Sequence, residues 1–141
     1  MGGDFLLQEE KLSLAAAAKH NAKTILVVED DENNSLIFTE AISMLTPYEV
    51  QVARNSTEAL HFVKHSKPDL FILDYRLPQI NGIQLYDQLH AISELENIPG
   101  IIISGITSGE VTREIESRKL IRIDKPFDLD EFLDAIKQAL G

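Results

Sequence analysis

Four residues of this 141-residue chain have the types and the placement to do chemistry together. Glu29 and Asp30 end the apolar run Thr24-Ile25-Leu26-Val27-Val28, and Asp74 ends Leu70-Phe71-Ile72-Leu73. Lys125 follows Leu120-Ile121-Arg122-Ile123-Asp124 and precedes Pro126. Apolar runs of this length read as buried parallel strands. Open parallel sheets gather their chemistry outside the carboxyl ends of the strands. Carboxylates from two strands and an ammonium from a third are therefore expected on one rim. Carboxylates that close raise one another's pKa unless a cation intervenes. Mg²⁺ would resolve the repulsion, because it is a hard ion that takes oxygen ligands and also binds phosphate. A carboxylate, a magnesium site and a lysine together suggest phosphoryl transfer onto an aspartate.

The elements that must position these residues follow from hydropathy and capping signals. Strands are predicted at Thr24–Val28, Glu49–Ala53, 69–74, Gly100–Ser104 and 120–124. Helices are predicted at 33–45, from Asn55 to about Ser66, after the turn signal Asn81-Gly82 to about Leu95, at 110–118, and from Asp128 to the end. Asn55 and Asp128 read as N-caps, each with a glutamate three residues later, Glu58 and Glu131. The inward face of the first helix is expected to include Leu36, Ile37, Ala41 and Leu45. That of the last helix should hold Leu129, Phe132, Leu133, Ile136 and Leu140. Val50 and Val52 should share one face of the second strand. Alternation of strand and helix specifies a parallel sheet covered on both sides, and right-handed crossovers leave few topologies. The expected fold is α/β: a flavodoxin-like, doubly wound, five-stranded parallel sheet in strand order 2-1-3-4-5.

Composition narrows the function classes. The chain is 44% hydrophobic and 26% charged, ordinary values for one globular domain. Its formal charge is −10, from 23 acidic and 13 basic residues. That argues against a nucleic-acid-binding domain, which shows a basic face or stripe. There is no cysteine, so neither a disulfide nor a thiolate metal site is possible. No apolar stretch is long enough to span a bilayer. The amino terminus carries Asp4, Glu9 and Glu10 rather than the basic start of a signal peptide. A cytoplasmic location is the expectation. Residues 1–22, with Leu6, Leu7, Leu12, Leu14 and the run Ala15-Ala16-Ala17-Ala18, read as an N-terminal extension or linker, expected to be flexible. The domain proper is expected over 23–141.

Four segments in order also carry a resemblance: Ile25-Leu26-Val27-Val28-Glu29-Asp30-Asp31, Asp74-Tyr75-Arg76-Leu77-Pro78-Gln79-Ile80-Asn81-Gly82, Pro99 through Ser104-Gly105, and Lys125-Pro126-Phe127. In sequence and approximate spacing they resemble the receiver domain of two-component response regulators. The resemblance implies that Asp74 accepts the phosphoryl group. It implies that Asp30, Asp74, the backbone carbonyl of Arg76 and, mostly through water, Glu29 hold Mg²⁺. It makes Ser104 a hydroxyl that approaches the phosphoryl group, Gly105 a small neighbour leaving space for it, and Lys125 the cation that stabilises its charge. It also implies a cis Lys125–Pro126 bond. The chain would be a phosphoacceptor that assists its own Mg²⁺-dependent phosphorylation and dephosphorylation, rather than an enzyme acting on a separate substrate. Its expected partners are a sensor histidine kinase or phosphotransfer protein and a downstream protein, with no DNA-binding domain or membrane segment in this chain. A stand-alone regulator, a relay shuttle and a fragment of a larger protein all remain open.

Other chemistry-bearing residues read more plainly. Asp31 suits the start of a helix. His20, His61, His65 and His90 have no triad partner at a telling spacing, and His61 and His65, four apart, read as a solvated helix face. Two departures from the resemblance stand out. Arg122 occupies the place, three before the lysine, where the family usually has a mobile aromatic residue, and as an always-charged side chain it is not expected to be buried readily. Ser117-Arg118-Lys119-Leu120 stands where a turn of small residues is usual. Residues 113–125 hold Arg113, Arg118, Lys119, Arg122 and Lys125, and read either as a solvated polar helix beside Lys125 or as a docking surface for an acidic partner. Two other classes compete. One is a receiver-like interaction module that is never phosphorylated. The other is an aspartate-nucleophile phosphatase of the haloacid-dehalogenase kind, which would need an aspartate where Arg76 stands.

Overall fold

The computed structural model describes residues 22–106 and 108–141. Residues 1–21, which include most of the expected extension and His20, lie outside the described residues. Five strands form one sheet: β1 (Thr24–Val28), β2 (Glu49–Ala53), β3 (Leu70–Asp74), β4 (Gly100–Ser104) and β5 (Ile121–Asp124). All four pairings are parallel and the order is β2-β1-β3-β4-β5, as expected. Five helices link and follow them: α1 (Glu32–Leu45), α2 (Ser56–His65), α3 (Gly82–His90), α4 (Gly109–Ser117) and α5 (Leu129–Leu140).

Period-two alternation assigns each strand residue to one of two cores. Leu26, Val28, Phe71, Leu73 and Ile102 face α2, α3 and α4. Ile25, Val27, Leu70, Ile72, Ile101, Ile103 and Ile123 face α1 and α5. The chain leaves β1 to build β2 on one side, then returns to build β3 on the other. The carboxyl ends of β1 and β3 therefore flank the point where the winding reverses, which is where such sheets open a crevice. Glu29 and Asp74 sit on its two sides.

Each of these helices starts on a side chain that accepts a backbone N–H of its first turn: Asp31, Asn55, Asn81, Ser108 and Asp128. Asn81 and Gln84 satisfy each other's backbone N–H reciprocally. Asp31 thus caps α1, as its position suggested.

Several local expectations are corrected. Leu36, Ile37 and Leu45 are more than half exposed, and the buried stripe of α1 is Phe38, Ala41 and Ile42. Both stripes have helical spacing, Phe38, Ala41 and Ile42 at i, i+3, i+4 and Ile37, Ala41 and Leu45 at i, i+4, i+8, so periodicity alone does not choose between them. The ring of Phe38 stacks on Phe132 at 5.0 Å and Phe127 at 6.0 Å between centroids, which sets the rotation of α1. On α5, Phe132, Ala135 and Ile136 are buried while Leu129 is 46% exposed. On the edge strand β2, Val52 is exposed and Val50 half-buried. The helix expected through Leu95 ends at His90, because Ile92 takes extended backbone and a short 3₁₀ turn, Ser93–Leu95, then brings Leu95 into the core. After α4 the chain turns at Lys119 with φ 56°, a left-handed conformation usually left to glycine.

The corrected face of α1 is open to measurement. Phe38→Ala should lower the free energy of unfolding by about 3–5 kcal/mol, while Leu36→Ala should change it by no more than about 0.5 kcal/mol. Equal losses in denaturant titrations of the two variants would restore the face read from the sequence.

Candidate functional site

The sheet ladder runs past the strand ends and carries the site residues with it. The Glu29 N–H donates to the Ala53 carbonyl at 3.0 Å, extending β1 along β2. Tyr75 donates to Ile103 at 2.8 Å, and Lys125 donates to Ser104 at 2.9 Å. Backbone pairing thus holds Glu29, Asp74, Ser104 and Lys125 at one rim.

Glu29, Asp30 and Asp74 each offer a carboxylate oxygen to a cluster whose atoms lie within 4.8 Å of one another. Glu29 and Asp74 are buried, and Asp30 is exposed. The Lys125 ammonium donates to both Asp74 oxygens, at 3.2 and 3.3 Å, and the Arg76 N–H reaches Asp74 Oδ1 at 3.3 Å. One Glu29 oxygen accepts the Asp31 N–H at 3.1 Å. The other, Oε2, is buried with no hydrogen-bond partner among the described residues. Burial, followed by the adjacent Asp74 carboxylate, which favours a proton on Glu29 and repels a second negative charge, pushes the Glu29 carboxyl up to about 8. An orphaned buried carboxylate oxygen beside two further carboxylates is a donor set that fits a hard divalent cation.

Ser104 ends β4 and is buried. Its hydroxyl accepts the Ile106 N–H at 2.9 Å. The Lys125–Pro126 bond is cis, as expected.

The response regulator receiver domain family matches residues 25–137. The chain belongs to that family. Over 120 residues the receiver is 32% identical to the polar-differentiation response regulator DivK of Brucella anthropi, covering 84% of this chain and 97% of that protein. The non-phosphorylated HemR receiver domain of Leptospira biflexa superposes with a TM-score of 0.76 at 27% identity, over 84% of this chain and 94% of that one. The chemotaxis protein CheY4 of Vibrio cholerae shares the fold with a TM-score of 0.78 at 22% identity, over 84% and 99% of the two chains. The receiver is a phosphorelay signalling domain, and the phosphatase and phosphorylation-independent readings are not favoured. Among the described residues, no helix is long and apolar enough to cross a membrane.

The receiver also contains site features that sequence reasoning missed. Asn81-Gly82 reads as a turn, yet Gly82 opens α3 with its backbone pressed on the end of β3. A Cβ there would lie 2.4 Å from the Asp74 carbonyl oxygen. The Gly82 N–H closes the intervening loop onto the Tyr75 carbonyl at 2.8 Å. Gly105, read as leaving space, is less constrained: a Cβ there would meet only the Lys125 Cβ, at an ordinary 3.8 Å.

Arg122 was expected to resist burial, but its side chain is only 19% exposed. It pairs with Asp124 and also reaches Thr112 and the Ile106 carbonyl. Arg118 makes a two-pronged pair with Asp87 at 2.6 and 2.7 Å. With Lys125 on Asp74, three of the five cations between residues 113 and 125 are engaged within the domain. His61 and His65 pack edge to face on the exposed side of α2, away from the rim.

Two outcomes follow for the metal-free receiver. With a chelator present, the folded chain holds a Glu29 proton that the unfolded chain has released between the ordinary 4.5 and about 8. Stability should therefore fall as pH rises through that window, by up to about 1.4 kcal/mol per pH unit, and level off above it. Glu29→Gln should remove this component from pH-dependent unfolding curves, and identical slopes for the two proteins would contradict it. Separately, Gly82→Ala should lower stability by about 1–3 kcal/mol, the usual cost of overpacking. An unchanged denaturation midpoint would show that the loop gives way freely.

Proposed function

We propose that Asp74 is the phosphoacceptor of this receiver, served by Lys125 and Ser104. We further propose that Glu29, Asp30, Asp74 and the backbone carbonyl of Arg76 hold Mg²⁺. The observation that carries this reading is the buried Asp74 carboxylate, bridged by the Lys125 ammonium and flanked by the orphaned Glu29 oxygen. In this reading 23–141 is the receiver unit and 1–22 an extension to it.

The chemistry is an in-line displacement. An Asp74 carboxylate oxygen attacks the phosphorus of a phosphohistidine on a histidine kinase or phosphotransfer protein. The new P–O bond forms as the P–N bond breaks, and the imidazole leaves with its electron pair and takes up a proton. Bound Mg²⁺ would neutralise charge on the phosphoryl oxygens. Lys125 supplies a fixed positive charge beside the same oxygens, in a site where burial strengthens it. Ser104 offers a hydroxyl from the neighbouring strand end. The product is an acyl phosphate, a mixed anhydride that water can cleave, which suits a reversible signal. The same groups would then assist dephosphorylation. A downstream protein reads the altered surface, and the acidic balance of the chain fits a protein rather than a nucleic-acid partner. A cytoplasmic setting, where such kinases present phosphohistidine, accords with this role.

Incubation with acetyl phosphate and Mg²⁺ should add one phosphoryl group, seen by intact-mass spectrometry and lost on mild base treatment. Asp74→Asn should abolish it, because an amide is not a competent nucleophile. Asp30→Ala should lose Mg²⁺ binding in calorimetry, and phosphorylation with it. Full labelling of Asp74→Asn at the same site would refute the phosphoacceptor assignment, and unchanged Mg²⁺ affinity in Asp30→Ala would refute the metal site.

A further inference from the structure

The guanidinium of Arg122 gathers three acceptors from three parts of the chain. Nε donates to the Asp124 carboxylate on the same strand, one Nη donates to Thr112 Oγ1 of α4 at 2.9 Å, and the other donates to the backbone carbonyl of Ile106. Ile106 lies two residues past the end of β4, packed against the core beneath α2, α3 and α4. Its other backbone group, the N–H, donates to Ser104 Oγ at 2.9 Å. One residue is therefore gripped on both sides, with its carbonyl on Arg122 and its amide on the Ser104 hydroxyl.

We propose that Arg122 is a positioning residue that acts through Ile106 to keep the Ser104 hydroxyl engaged with the Ile106 backbone, so that phosphoryl capture must open an electrostatic clasp. The inference rests on the reading of Asp74 as phosphoacceptor and Ser104 as its hydroxyl partner. For the Ser104 hydroxyl to turn toward Asp74 it must give up the Ile106 N–H. Ile106 cannot follow it without leaving the guanidinium. Arginine stays charged at any working pH and presents a rigid fork of donors. Its bonds to a carboxylate, a hydroxyl and a carbonyl are charge-assisted and oriented, and so resist displacement. The clasp stabilises the resting arrangement over the phosphoryl-bound one. It also spends the Arg122 charge within the domain, in place of the exposed docking role that the sequence also allows.

The test titrates the full chain with beryllofluoride and Mg²⁺, a phosphoryl mimic, by calorimetry. In parallel it follows the exchange of the Ile106 amide by NMR without the mimic. Removing the clasp enlarges the fraction of chains competent to bind. Arg122→Ala should therefore bind beryllofluoride about three- to tenfold more tightly, the scale set by charge-assisted hydrogen bonds to one group, and its Ile106 amide should exchange faster. Arg122→Lys, which keeps the charge without the fork, should recover only part of the wild-type behaviour. In a Ser104→Ala background the gain from Arg122→Ala should vanish, since the two residues act through one path. Unchanged or weaker binding by a folded Arg122→Ala protein would overturn the clasp, as would a gain that persists without Ser104. If Arg122→Ala does not fold, Thr112→Val removes one acceptor and should give a smaller gain, and no gain there also overturns the proposal. Asp74→Asn separates the two readings. Retained beryllofluoride binding in that variant would sink the phosphoacceptor assignment, whereas unaltered Ile106 exchange in Arg122→Ala would sink the clasp alone.

Discussion

The Lys125 ammonium lies against both oxygens of a buried aspartate, and the rest of the rim is arranged around that pair. Asp74 and Glu29 are almost fully removed from water, and one ammonium faces two carboxyl groups. In a poorly screened site this leaves negative charge in excess. Two adjustments can relieve it: a proton on Glu29, or a cation held against the open Glu29 oxygen. Proton and cation therefore compete for one deficit. The same imbalance that destabilises the metal-free rim prepares it to take a cation and, with it, a phosphate.

The scaffold makes the imbalance tolerable by fixing it in place. Strand pairing continues one residue past β1, β3 and β5, so the charged groups hang on backbone hydrogen bonds rather than on mobile loops. Gly82 lets the first turn of α3 press against the Asp74 carbonyl. A side chain at that position would push the end of β3, and Asp74 with it, away from Lys125. The stability of the two apolar layers beneath, each built from alternate residues of the same strands, lets the rim remain strained in charge.

Strand identity, strand order and the residues of the rim were legible in the sequence, because long apolar runs report burial on both faces and the charged residues end those runs. The face of α1 was not. Leu36, Ile37 and Leu45 are as apolar as the residues that are buried, and only the stacking of Phe38 on Phe127 and Phe132 selects the rotation. That contact joins residues far apart in sequence. Gly82 was visible as a turn signal, but its closeness to the Asp74 carbonyl is a tertiary fact. The left-handed turn at Lys119 had no signal, since lysine is not a residue that announces positive φ. Arg122 was visible as a departure, but its consequence was misread. Charge alone suggested exposure, whereas burial became possible once Asp124, Thr112 and the Ile106 carbonyl were at hand.

That misreading bears on how this receiver can signal. Arg118, Arg122 and Lys125 each have a carboxylate partner inside the domain, on Asp87, Asp124 and Asp74. A partner that sought these charges in the resting state would have to displace a partner already in place, which costs charge-assisted contacts. Phosphorylation changes that balance at one point only. In the proposed reading, a phosphoryl group on Asp74 would convert the Lys125 pair into a contact with a more highly charged anion and would draw on the neighbouring hydroxyl. Such an event travels outward through hydrogen bonds that exchange partners, from Ser104 to Ile106 to Arg122, rather than through a ring that swings between open and packed positions. Hydrogen-bond exchange is directional and nearly all-or-none over short distances. A surface governed in this way would change which charges it offers before it changes its shape.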